Sequence, residues 1–119
     1  MRKIIICTLF LLIVTPVFAA DFVHPLDFKG TNDEKQKVTA YIKENVKETY
    51  SKIGMDSPST LRMMEQKELD SFKQLMKAEN RTLLDKVITT YCNIGMCNYD
   101  TILMMYNKEL SASKKSLEW

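Results

Sequence analysis

Thr31 to Gly54 reads TNDEKQKVTAYIKENVKETYSKIG, and how this stretch is read decides the fold class of the whole chain. Thr31-x-x-Glu34 is a capping box: the threonine hydroxyl can accept from the amide three residues on, while the glutamate reaches back to the cap amide. Behind it, Val38, Tyr41, Ile42, Val46, Thr49, Tyr50 and Ile53 recur at steps of three and four, with lysines and glutamates between them. That period belongs to an amphipathic helix and not to a strand. Gly54 stands where a left-handed C-terminal cap is wanted, so the spacing predicts a helix from Asn32 to about Ile53.

The same signals recur downstream. Ser57-Pro58 offers a serine cap with proline at the first helical position. Leu61, Met64, Leu69, Phe72, Leu75 and Met76 continue the apolar pattern, but the five-residue step from Met64 to Leu69 slips it. This predicts either one kinked helix or two short ones meeting near Gln66 and Lys67. Asn80 serves as stop and new cap for a helix carrying Leu84, Val87, Ile88 and Tyr91. The β-branched run Val87-Ile88-Thr89-Thr90 is compatible with a strand, yet its spacing favours helix and no partner strand is nearby. A last helix is expected from Asn98, with Tyr99, Ile102, Leu103, Tyr106, Leu110 and Leu117 as its stripe. Four or five helices joined by short connections predict an all-α fold, a small bundle.

Upstream, residues 1 to 19 (MRKIIICTLFLLIVTPVFA) have a positive start, an apolar run and small residues at Val17 and Ala19, the pattern of a signal peptide. Cleavage would leave a chain beginning at Ala20 or Asp21, and the apolar run is shorter than the ~20 residues a membrane anchor needs. Cys7 lies inside that run, not just after the cleavage point, so the lipid-anchor pattern is missing. Two of the 17 basic residues, Arg2 and Lys3, leave with the signal, so 15 remain against 15 acidic ones. The formal +2 belongs to the export segment, and the remaining domain has no charge excess to draw it to nucleic acid or anionic membrane. Stable membrane insertion after cleavage is not expected, and the expected location is the bacterial periplasm or the secreted fraction. Residues 20 to 30 lack a helical period and read as an extended arm whose Phe22, Val23, Leu26 and Phe28 must pack on the domain or on a partner. Residues 31 to 119 form the helical domain.

After cleavage only Cys92 and Cys97 remain, an even pair in an oxidising compartment, which reads as one disulfide across a short loop. Redox chemistry of the thioredoxin kind uses a C-x-x-C spacing, and zinc needs about four ligands where the chain has a single histidine, His24. Gly95 supplies the turn, and the bridge pins the end of one helix to the start of the next.

Catalytic equipment is sparse. His24 in the arm is a poor general base, and no nucleophile elbow, H-E-x-x-H or glycine-rich phosphate loop occurs. Glu65 with Asp70, and Glu44 with Glu48, sit among lysines and read as solvated helix charges. A non-enzymatic domain without a cofactor is therefore expected. Methionine is the compositional oddity, with Met55, Met63, Met64, Met76, Met96, Met104 and Met105 all beyond the signal. Thioether clusters can bind Cu(I), but methionine is more often an adaptable core filler or a member of an adaptable binding surface. In each Met-Met pair one member is expected inside and one outside, with Met63 and Met105 outward. Asn80-Arg81-Thr82 matches the N-glycosylation sequon, which matters only in a eukaryotic route.

The C-terminal stretch ILMMYNKELSASKKSL, after the cysteine of IGMC, is similar to the end of the periplasmic immunity proteins that neutralise type VI secretion amidase effectors. The likeness is confined to that helix, and the Cys92–Cys97 spacing departs from the family. It implies an exported helical binder that plugs the cleft of a peptidoglycan amidase; no functional residue is carried over from it. The combined expectation is an exported protein-binding domain, an inhibitor or immunity protein against an envelope-acting enzyme or toxin. Its candidate partner-binding residues are Phe22, Phe28, Arg62, Met63, Ile94, Met96 and Met105, since large apolar side chains and arginine are the usual anchors. The alternatives are a periplasmic copper or stress-response binder and a structural protein that associates with its own copy.

Overall fold

A computed structural model describes residues 20–119; the signal segment expected at residues 1 to 19 lies outside them. Four helices make up the described chain: α1 (Asn32–Ser51), α2 (Pro58–Leu75), α3 (Arg81–Asn93) and α4 (Tyr99–Ser113). Each begins at a polar cap. The Thr31 hydroxyl accepts from the Glu34 amide at 3.2 Å while Glu34 accepts back from the Thr31 and Lys29 amides, completing the capping box. Ser57, Asn80 and Asn98 accept from the amides of Thr60, Leu83 and Thr101, so no helix starts with all of its leading N–H groups unpaired.

Two of the helices also end alike. After α1 the Met55 amide donates to the Tyr50 carbonyl, and after α3 the Met96 amide donates to the Tyr91 carbonyl. Gly54 and Gly95 take positive φ at these turns, 71° and 78°. A side chain there would be strained, which is why glycine closes both helices.

Of the two forms expected for α2, the pair of short helices is excluded: Pro58–Leu75 is a single helix. The helix runs unbroken because its buried face is Leu61, Met64, Glu68, Ser71 with Phe72, and Leu75, a regular stripe at steps of three and four. The step that seemed to slip contains Glu68, a charged residue that the apolar pattern passes over. α1 stops two residues short of expectation, leaving Ile53 62% exposed, and Leu117 lies beyond the end of α4 and is 94% exposed.

α1 packs on α2, α2 on α4 and α4 on α3, while the backbones of α1 and α3 stay apart. α2 and α4 run parallel: Glu68 meets the first turn of α4, while Leu75 and Ala78 share a depression with Leu103 and Tyr106. The loops α1–α2 and α3–α4 therefore feed their helices from the same direction, offset by about 15 Å along α2, since Glu68 stands ten residues from its start. Residues 20 to 30 fold back across the open face, where a fourth helix contact would otherwise be needed. Phe22 stacks on Tyr99 with ring centroids 5.1 Å apart and meets Tyr41 edge-on at 5.5 Å, and Phe28 meets Phe72 edge-on at 5.2 Å. The Tyr99 hydroxyl accepts from the Val23 amide at 3.2 Å and donates to the Val23 carbonyl at 2.8 Å. Val38, Ile42, Val46, Phe72, Leu75, Leu84, Val87, Tyr99, Ile102 and Tyr106 form the buried core beneath it.

Candidate functional site

The seven candidate partner-binding residues divide into two groups. Phe22 and Phe28 pack against the core, and their rings are spent on holding the arm down. Met105 is turned inward against the core and its neighbour Met104 is 58% exposed, so the expected order of that pair is reversed. The reason is register: Ile102 and Tyr106 are buried, and Met105 lies three residues from the first and one from the second, on the flank of that face. Arg62, Met63, Ile94 and Met96 stay outward. Met63, Ile94 and Met96 are large apolar groups in water, and Arg62 is ion-paired to Glu65 at 2.7 Å.

Those outward residues have company that the sequence pattern did not single out. Ile53 and Met55 lie in the α1–α2 loop, Ile94 and Met96 in the α3–α4 loop, and Met63 in the second turn of α2, all five exposed and all at or near the leading end of α2 or α4. The Cys92–Cys97 sulfurs are at bonding distance, 2.02 Å, so the loop bearing Ile94 and Met96 is closed covalently at its base. The Tyr41 hydroxyl donates to the Cys97 carbonyl, tying the same loop to α1. Exposed side chains on a tethered loop lose little conformational freedom on docking, which favours their use as anchors.

Behind this end lies a small polar cavity of about 150 Å³, bordered by Thr49, Tyr50, Met64, Glu68, Asn98 and Thr101. Glu68 is its buried charge. Its carboxylate accepts from the Tyr99 amide at 2.7 Å and the Asp100 amide at 3.2 Å, placing negative charge on the positive end of the α4 dipole. Burial raises its pKa, with the two backbone amides opposing that shift. Burial, followed by the charges of Glu68 and Glu44, pushes the Tyr41 phenol up to about 12. Burial likewise pushes Tyr99 up. Both phenols are therefore neutral donors over the physiological range. The Tyr50 hydroxyl donates to the Met64 sulfur at 2.7 Å, so this methionine is engaged inside the bundle.

A second polar constellation fixes the arm to α3. His24 Nε2 lies 2.6 Å from Asp85 Oδ1, and its Nδ1 accepts from the Leu26 amide, so the Nε2 hydrogen points at the carboxylate. Arg81 forms a two-pronged pair with Asp27 at 2.8 and 3.0 Å, and its hydrogen bond holds the Asp27 carboxyl below its ordinary pKa. These groups satisfy one another, so their chemistry is that of a latch. Among the described residues no three His, Cys, Asp or Glu side chains converge as a metal site of those ligands requires, and no helix is long and apolar enough to cross a membrane.

Glu68 and the Ile53–Met55 pair are the residues that sequence reasoning passed over. Glu68 sits at a helical step between Met64 and Phe72, and its spacing was the available signal. Ile53 falls on the apolar spacing of α1, but the helix ends at Ser51 and beyond that end it turns outward. Comparison with protein-family models, with curated proteins and with solved structures finds no match to this chain.

Proposed function

We propose that the chain is an exported protein-binding domain of the inhibitor or immunity class, acting on an envelope enzyme or toxin through the apolar end of its bundle. One observation carries the reading: Ile53, Met55, Met63, Ile94 and Met96, each 43–63% exposed, stand on the two loops and the helix start that lead into α2 and α4, in a domain whose other large apolar residues are mostly internal. Fully burying such a side chain is worth about 1.5–3 kcal/mol, so a partner that covers several of them gains substantially. The export signal expected at residues 1 to 19 and the resemblance of the C-terminal helix to periplasmic immunity proteins give the partner its location and kind.

The test is capture of envelope and secreted proteins on the oxidised protein, paired with an activity assay on whatever is bound. The expected result is a near-stoichiometric cell-wall hydrolase or toxin that loses activity in the complex, and loses its hold on a Met63→Glu/Met96→Glu variant with an unchanged melting temperature. Inhibition that survives this double substitution would remove the apolar end from the site. A bait that recovers only itself, and sediments as a dimer, would move the same surface to self-association.

A further inference from the structure

The α1–α2 seam holds an apolar trough apart from the apolar end. Its floor is Val38, Ile42, Leu69 and Phe72, closed at one extremity by Phe28 and Met76, and its wider half has a volume of about 440 Å³. Arg62 to Met76 on α2 border it, fourteen residues along, so at 1.5 Å per residue the trough is about 20 Å long, enough for nearly four turns of helix. Its edges are cationic. Lys35 and Lys43 stand on the α1 side and Arg62 and Lys73 on the α2 side, and among the described residues the three lysines have no ion-pair partner. The one carboxylate bordering the trough, Glu65, is already held by Arg62 at 2.7 Å.

We infer that this trough receives an acidic amphipathic helix of a protein partner, its apolar face on Phe28, Leu69 and Met76 and its flanking carboxylates on Lys35, Lys43 and Lys73. Charge complementarity selects this occupant. Positive groups on both walls and toward both ends match carboxylates spread along a helix, whereas a fatty acid would bring a single anionic head. The trough's length and its position between two parallel-sided helices fit the helix-in-groove mode, in which anchors at i, i+3, i+4 and i+7 enter the apolar floor. The inference rests on the protein-binding reading but uses a different surface, so the two can fail separately.

A library of random 16-residue peptides displayed on phage, selected on the purified protein, tests it. The expected peptides carry net negative charge and apolar residues at helical spacing. They bind a Lys35→Glu/Lys73→Glu variant about tenfold more weakly and bind Met63→Glu/Met96→Glu as well as the parent. Both lysines are exposed and unpaired, and a circular-dichroism melt verifies that the first variant is folded. Neutral or basic peptides, peptides indifferent to the lysine substitutions, or an empty selection would overturn the inference. Peptides lost only on Met63→Glu/Met96→Glu would overturn it too, while supporting the apolar end as the docking surface.

Discussion

Replacing Tyr99 by phenylalanine isolates the hydrogen bonds that close the arm over the bundle. The ring is fully buried and keeps its packing on Phe22 and Phe72, so the substitution removes one hydroxyl and little else. That hydroxyl is both acceptor for the Val23 amide and donor to the Val23 carbonyl. Leaving a buried polar group unpaired costs about 1–3 kcal/mol, and here two are released. Val23 is only half-buried, so water recovers part of the loss, and about 2 kcal/mol remains. For a domain of this size each kcal/mol moves Tm by about 4–8 °C, giving an expected fall of roughly 10 °C in a thermal melt followed by circular dichroism. Amide exchange should report the same event locally, with Val23 protection lost while that of Ile42 and Leu84 is reduced only through global stability. A Tm within about 3 °C of the parent, with Val23 still protected, would refute the reasoning and show that the apolar side chains of the arm hold it unaided.

Four other outcomes are expected. Glu68→Ala leaves the Tyr99 and Asp100 amides without their acceptor and should destabilise the fold by about 2–3 kcal/mol in urea titration. Because burial raises the Glu68 pKa, the native state retains its proton when the unfolded chain has released it; stability should therefore fall as pH rises from 4.5 through the folded value, and Glu68→Gln should flatten that slope. At the alkaline end the sign is the same: between pH 10 and about 12 the unfolded chain releases the Tyr41 proton and the native state does not, so urea midpoints should fall with rising pH, less so in Tyr41→Phe. Cys92→Ser/Cys97→Ser opens a loop of sequence separation 5 and should cost about 2 kcal/mol by chain entropy, with helix content retained by circular dichroism; complete unfolding would show that the bridge does more than fix a corner.

Local chemistry made the helices readable. Thr31, Ser57, Asn80 and Asn98 are cap residues whose side chains act over three positions, and Gly54 and Gly95 act over two, so their effects are written in short stretches of sequence. The same holds for the all-α class and the Cys92–Cys97 closure. What spacing could not convey was anything decided across the bundle. Glu68 belongs to the buried stripe because the amides of another helix meet it there, and no apolar count registers a carboxylate in that role. Met104 and Met105 differ by one position on a helix whose buried face is broad, so which of them faces water depends on how α4 leans on α2 and α3. The arm was legible as apolar and extended, yet its destination depended on Tyr99, Asp85 and Arg81, which lie 54 to 76 residues along the chain.

Those separations also set an order of assembly. The helix pairs α1–α2 and α3–α4 join neighbours through short loops and close quickly, whereas the arm's bonds from Val23 to Tyr99 and from His24 to Asp85 cannot form until α3 and α4 are both in place. The opening residues of the described chain are thus made first and find their place last. In a pulse-labelling refolding experiment Val23 should gain protection after the helix amides. Until it does, Tyr99 lacks its cover by Phe22, and the unfinished domain leaves that apolar face open to whatever meets it.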